Sequence, residues 1–219
     1  MYRIKQDYVN YNSCSAYFRK ESLHLYNYCV NNPVRYVDPD GREALIEDEP
    51  NDKKKILDWI NKYSFYQYEI KESKLKKNPQ KRNSYGSRSY SEYIDEMIDA
   101  STKFHIKIDD KFIDPFTNEE YTVTGGATFS NCEYNDIFIV ITGEHTEVIP
   151  NSKEFAKNAA PERILLHEIA GHAVPRYKLT DGNAVDIENR IISELNNHRF
   201  IFKLKPRMPD INHRTLKTY

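Results

Sequence analysis

No stretch of this 219-residue chain approaches the ~20 consecutive apolar residues that carry a helix across a bilayer, so no membrane span is expected. Its first residues, Met1-Tyr2-Arg3-Ile4-Lys5-Gln6-Asp7, lack the apolar core of a secretory signal. Cysteine is scarce. The three present, Cys14, Cys29 and Cys132, are scattered and odd in number, which fits neither a disulfide framework nor a thiolate zinc knuckle. Charge of one sign is lacking too: the formal net charge is −1, and no global field attracts nucleic acid, which is therefore not an expected partner. A Gly-rich phosphate loop and a Ser or Cys triad pattern are also missing, which argues against nucleotide and acyl-transfer chemistry.

Several elements can be read from the periodicity of what is there. Residues 53–62 have helical spacing through Ile56, Trp59 and Ile60, with Asp52 as N-cap. Residues 71–88 are polar and charged, contain Pro79 and Gly86, and read as a mobile loop. A second helix follows over 90–100. From Phe104 the period becomes two, through Ile106 and Ile108, as in a half-buried strand. A turn at Asp114-Pro115 and a strand over 121–124 come next, then a bend or bulge at Gly125-Gly126. Residues 137–142, Ile-Phe-Ile-Val-Ile-Thr, form the most apolar strand, the expected sheet edge for an extended substrate.

Shortly afterwards a helix is signalled by Asn158 as cap, Pro161 in the first turn and Glu162 at the positive helix end, with Pro175 closing it. A last helix is expected from about 183 to 199, and the tail beyond Lys203, with Pro206 and Pro209, reads as irregular.

The chemistry concentrates in His167-Glu168-Ile169-Ala170-Gly171-His172. Zinc hydrolases of the helical type set two histidines at i and i+4, one turn apart, with a glutamate after the first as general base. Here the interval is five, which on a regular helix rotates the second ring by about 500°, some 140° out of alignment. Both rings reach one metal ion only if a residue is looped out as a π-bulge, and Gly171 is where the ladder loosens most easily. The expected metal is zinc. Glu168 is the expected general base, and Tyr177, His198, His213 and Tyr219 are candidate donors to a developing oxyanion. His24, His105 and His145 read as surface or packing residues, and Trp59 as core.

Two resemblances add to this. The run Leu25-Tyr26-Asn27-Tyr28-Cys29-Val30-Asn31-Asn32-Pro33-Val34-Arg35-Tyr36-Val37-Asp38-Pro39-Asp40-Gly41 resembles the end of the Rhs/YD-repeat core of bacterial polymorphic toxins, a β-shell around a variable C-terminal toxin. Arg42 stands where the family's autocleavage pattern has leucine, so Asp38 and Asp40 are expected to shape a turn. The HExxGH motif resembles dipeptidyl peptidase III and the HExxxH metallopeptidase domains that end polymorphic toxins. In glutamate zincins the third ligand lies on the next helix, and 186–195 resembles the Glu-Asn-[Lys/Arg] helix of toxin-type peptidases. That resemblance implies Glu188 as third zinc ligand, with Asp186 and Glu194 as alternatives or as carboxylates that orient a histidine through its far N–H.

The expectation is thus an α+β, zincin-like metallopeptidase domain over 46–219 behind an irregular Rhs junction segment over 1–45. Its partners would be a protein or peptide substrate and an immunity protein. The resemblance further implies synthesis in a bacterial cytoplasm and delivery to a target cell by an Rhs-type system. A non-enzymatic Rhs tip that only binds an immunity or delivery partner is the alternative from another function class, and a hydrolase with a non-peptide substrate is a third.

Overall fold

The computed structural model describes residues 43–115, 117–131, 136–143, 160–198, 201–208, 210 and 213–215. The Rhs-like run, His24, His145, Asn158, Tyr219 and all three cysteines lie outside them.

The fold is α+β, built on a six-stranded mixed sheet. The chain enters as β1 (Ala44–Ile46), forms helix α1 (Pro50–Tyr63), the hairpin β2 (Tyr66–Lys71) and β3 (Lys74–Arg82), and helix α2 (Arg88–Asp99). Strand β4 (Lys103–Ile108), the small hairpin β5 (Lys111–Ile113) and β6 (Glu120–Thr122), then β7 (Gly126–Asn131) and β8 (Asp136–Ile141) complete the strands. The strand order is β2-β3-β1-β4-β8-β7, with β1, β4 and β8 parallel and β2, β3 and β7 joined antiparallel. Among the described residues no helix is long and apolar enough to cross a membrane.

Alternation along β8 divides the molecule into two cores. Ile137, Ile139 and Ile141 face a large cluster with Ile56 and Ile60 of α1, Ile94 and Met97 of α2, and Leu165, Leu166 and Ile169 of the motif helix. Val140 faces the other way and joins Phe112, Val123 and Ala127, so the β5–β6 hairpin closes the second face.

Four expectations are corrected. Ala44 and Leu45, assigned above to the junction segment, belong to β1, which sits between β3 and β4. Residues 74–82 are a strand rather than a loop. Only Leu75 is buried there, and the lysines lie along a solvated ribbon, where Lys77 Nζ sits 3.5 Å from the Tyr66 ring centroid and 2.5 Å from Asp95. α1 starts at Pro50, a residue suited to the first turn, so Asp52 lies inside the helix, paired with Lys55. The sheet edge is β7, not the 137–142 strand, which is covered by β4 on one side and β7 on the other. β7 escapes a hydropathy reading because Gly126, Thr128 and Ser130 alternate with Ala127 and Phe129; Gly126 and Thr128 face the Glu168 carboxylate, and Ser130 meets Arg176.

Candidate metal centre

The motif lies in a continuous helical stretch of three parts: helix α3 (Pro161–His167), a π-helical segment (Glu168–Ala173) and helix α4 (Val174–Lys178). The π segment absorbs one residue, so an interval of five behaves like one of four, about 400° and near alignment. The stretch does not stop at Pro175. Val174 N–H already reaches back five residues to Ile169, and a missing N–H is best tolerated where the ladder shifts from one spacing to the other.

Gly171 has a packing reason to be glycine as well. A Cβ there would come 2.9 Å from Ala184 Cβ and 3.4 Å from Ala184 Cα, because the π turn abuts the first turn of helix α5 (Ala184–Asn196).

The looped helix brings His167 and His172 together, with ring centroids 5.0 Å apart. The third partner comes from the tail. His213 Nε2 lies 3.0 Å from His167 Nε2 and 3.1 Å from His172 Nε2. An ion 2.0–2.1 Å from each nitrogen in a tetrahedral array would hold those nitrogens about 3.3 Å apart, close to what is seen.

The far sides of the rings settle which nitrogens face inward. His172 Nδ1 lies 3.1 Å from the Thr215 carbonyl, and His167 Nδ1 lies 2.9 Å from Glu188 Oε2. The Thr215 carbonyl only accepts, so the neutral His172 ring carries its proton on Nδ1 and turns its Nε2 lone pair to the common centre, and the Glu188 carboxylate beside His167 Nδ1 favours the same tautomer there. His213 Nδ1 stands 3.8 Å from Asp210. Burial, then the neighbouring His167, holds the His172 imidazole down to about 3, which keeps it neutral and fit to bind a cation. Converging lone pairs repel one another unless a cation lies between them, so the donor set fits zinc.

Glu188 does not join the three nitrogens. It is fully buried on the outer side of His167, 2.5 Å from Arg163 Nε and 3.0 Å from Arg207 Nε. Burial alone would raise its carboxyl, but His167, Arg207 and Arg163 outweigh that and hold it down to about 2. Glu188, expected above as third ligand, thus lies outside the cluster and beside His167, and His213 is the third residue of the group that could hold a metal ion. Arg163 and Arg207 supply the cationic partners of the Glu188 carboxylate.

Glu168 is buried and aimed at the edge strand, where Thr128 Oγ1 donates to it across 2.8 Å. Burial raises its carboxyl above the ordinary range, opposed by His167, the Thr128 bond and Arg207. Gly126 makes room for it, since a Cβ there would lie 3.0 Å from Glu168 Cγ and 2.5 Å from Ile164 Cγ2. Arg176 donates to the Thr128 carbonyl and the Ser130 hydroxyl, fastening the helix to β7.

The other candidates fall elsewhere. Tyr177 packs edge-on against Phe104 at the margin of the main core. His198 meets the Tyr85 ring beyond the end of α5, ten residues and about 15 Å along the helix from Glu188. Asp186 is exposed in the first turn of α5. Glu194 accepts from Ser87 and from the Ser89 hydroxyl and N–H, capping α2. His105 stacks on Phe138, the packing role expected of it.

No sequence signal ranks His213: it sits 41 residues past His172 in an irregular tail, and only the fold brings it back. No protein-family model, no curated protein and no solved structure matches the chain.

Proposed function

We propose that the protein is a zinc-dependent hydrolase of zincin-like design, a metallopeptidase that cuts peptide bonds. The single observation that carries this is the convergence of His167, His172 and His213 through a π turn that leaves Glu168 between the ligand helix and the sheet edge. A zinc ion bound there would act as a Lewis acid and bring the pKa of a bound water toward about 7.

This chain's own residues supply the remainder. Thr128 holds the Glu168 carboxylate in one orientation, and burial makes that group a stronger base than a surface glutamate. Glu168 takes the proton of the attacking water and returns it to the leaving amine. Glu188, with Arg163 and Arg207 behind it, keeps His167 in the tautomer that presents Nε2. By antiparallel alternation the Gly126 and Thr128 backbone faces away from β8; with the Thr128 carbonyl taken by Arg176, an extended peptide would pair at this edge through Gly126 and the Thr128 N–H. The resemblance of 25–41 to an Rhs core makes a delivered toxin, with a bacterial immunity partner, the setting we favour.

The test is a pair of proteins. The wild type should bind one zinc ion and cleave unstructured peptides, whereas Glu168→Gln should keep the metal and lose about 10²–10⁴-fold in rate. Cleavage that survives the substitution removes the peptidase reading. A wild type that takes up no zinc leaves a binding module instead.

A further inference from the structure

Among the described residues of the tail, 201–208, 210 and 213–215, none lies in a helix or strand, so something must decide which tail residue reaches the centre. Three asparagines of the last helix address the tail at regular steps. Asn196 Nδ2 donates to the Leu204 carbonyl and its Oδ1 accepts the Leu204 N–H. Asn189 does the same with Arg207, at 3.0 and 2.8 Å. Asn183 Nδ2 donates to the Asp210 carbonyl, and Ala184 N–H then donates to the carbonyl of His213 itself. The helix is met at 196, 189 and 183, the tail at 204, 207, 210 and 213.

The first two rungs are commensurate: the seven helical residues from Asn196 to Asn189 advance about 10.5 Å, and three residues of extended chain, the interval from Leu204 to Arg207, advance roughly 10 Å. At the last rung His213 N–H donates to the Asp210 carbonyl, which sets the His213 carbonyl against Ala184, next to Asn183. Two features resist slippage. Moving the tail one residue sets Pro206, which has no N–H, against the Asn189 oxygen. Moving it the other way pulls the Arg207 guanidinium off Glu188. A one-residue slip displaces the position of His213 by about 3.4 Å, more than an entire Zn–N bond of about 2.1 Å.

We propose that this asparagine ladder is a register device: Asn189 and Asn196 are positioning residues that select His213 as third ligand and couple metal binding to docking of the tail. The inference rests on the metal-centre reading above. Asn183 also caps the helix by accepting from Val185 and Asp186, which makes it a poor probe, whereas Asn189 and Asn196 have no such second duty.

The experiment uses the full chain with Co²⁺ as probe, measuring affinity by chelator competition, the visible spectrum of the bound ion, and amide exchange of residues 204 and 207. Asn189→Ala should weaken Co²⁺ binding by about tenfold or more. It should also distort the spectrum and expose the Arg207 amide, with far-ultraviolet dichroism of the metal-free protein unchanged. Asn189→Asp, which keeps an acceptor for the Arg207 N–H, should recover part of the affinity. Asn196→Ala, a rung further from His213, provides a second and milder variant. Unchanged affinity and spectrum in both alanine variants overturn the ladder and leave the metal centre standing. Failure of the wild type to bind Co²⁺ overturns the centre, and the ladder with it.

Discussion

The two halves of the candidate metal centre are held in different ways. His167 and His172 lie on a buried helix flanked by Ile164, Leu166 and Ile169, and that packing fixes their backbone whether or not a metal is present. His213 hangs on a partly exposed tail secured by hydrogen bonds to one helix and to the turn before it. The helix half is preformed by the hydrophobic core, and the tail half is preformed only as far as its hydrogen bonds hold. A metal ion would therefore stabilise the tail far more than the helix, by linkage between binding and folding.

Perturbing the helix half should cost most. Glu188→Gln removes the carboxylate between Arg163, Arg207 and His167 and leaves the Arg163 guanidinium buried without its counter-charge. Chemical denaturation should report a loss of about 3–5 kcal/mol. A loss below about 1 kcal/mol would mean that Arg163 finds another partner. Gly171→Ala acts on the seam between the two halves. Its Cβ pushes against Ala184, the residue whose N–H holds His213, so stability should fall by about 1–3 kcal/mol and metal affinity should fall with it. Full affinity in that variant would show that the seam has slack.

Much of this centre can be read from the order of residues alone. If both histidines are to meet, the five-residue interval with glycine before the second calls for a π turn, and the structure has one. The apolar strand over 137–141 and the last helix also follow from pattern. The losses share a physical cause. β7 and β3 bury few apolar side chains, Ala127 and Phe129 in one and Leu75 in the other, while the rest meet a carboxylate, a guanidinium or water, so hydropathy does not mark them. Glu188 has the composition of a ligand and the surroundings of an ion pair, and only the approach of Arg163 and Arg207 separates the two. His213 depends on three amide contacts from a helix whose asparagines read simply as polar surface.

The smallest effect is expected away from both halves, at Glu194. Burial raises its carboxyl, but the bonds from Ser87 and Ser89 outweigh this and leave it below the ordinary range. A depressed carboxyl contributes stability above the unfolded value of about 4.3 and loses it as pH falls through the lower folded value. Glu194→Gln should therefore flatten the acid side of the stability curve below about pH 4, by less than about 1 kcal/mol after solvent screening, with metal affinity unchanged. Weakened metal binding in this variant would tie the α2 cap to the centre.

The central claim is met most directly by X-ray absorption at the zinc edge of the loaded protein, compared with His213→Ala. The wild type should show three imidazole nitrogens at about 2.0–2.1 Å, and the variant two. A wild-type spectrum with two imidazoles and a carboxylate, unaltered by His213→Ala, would contradict it and return Glu188 to the metal.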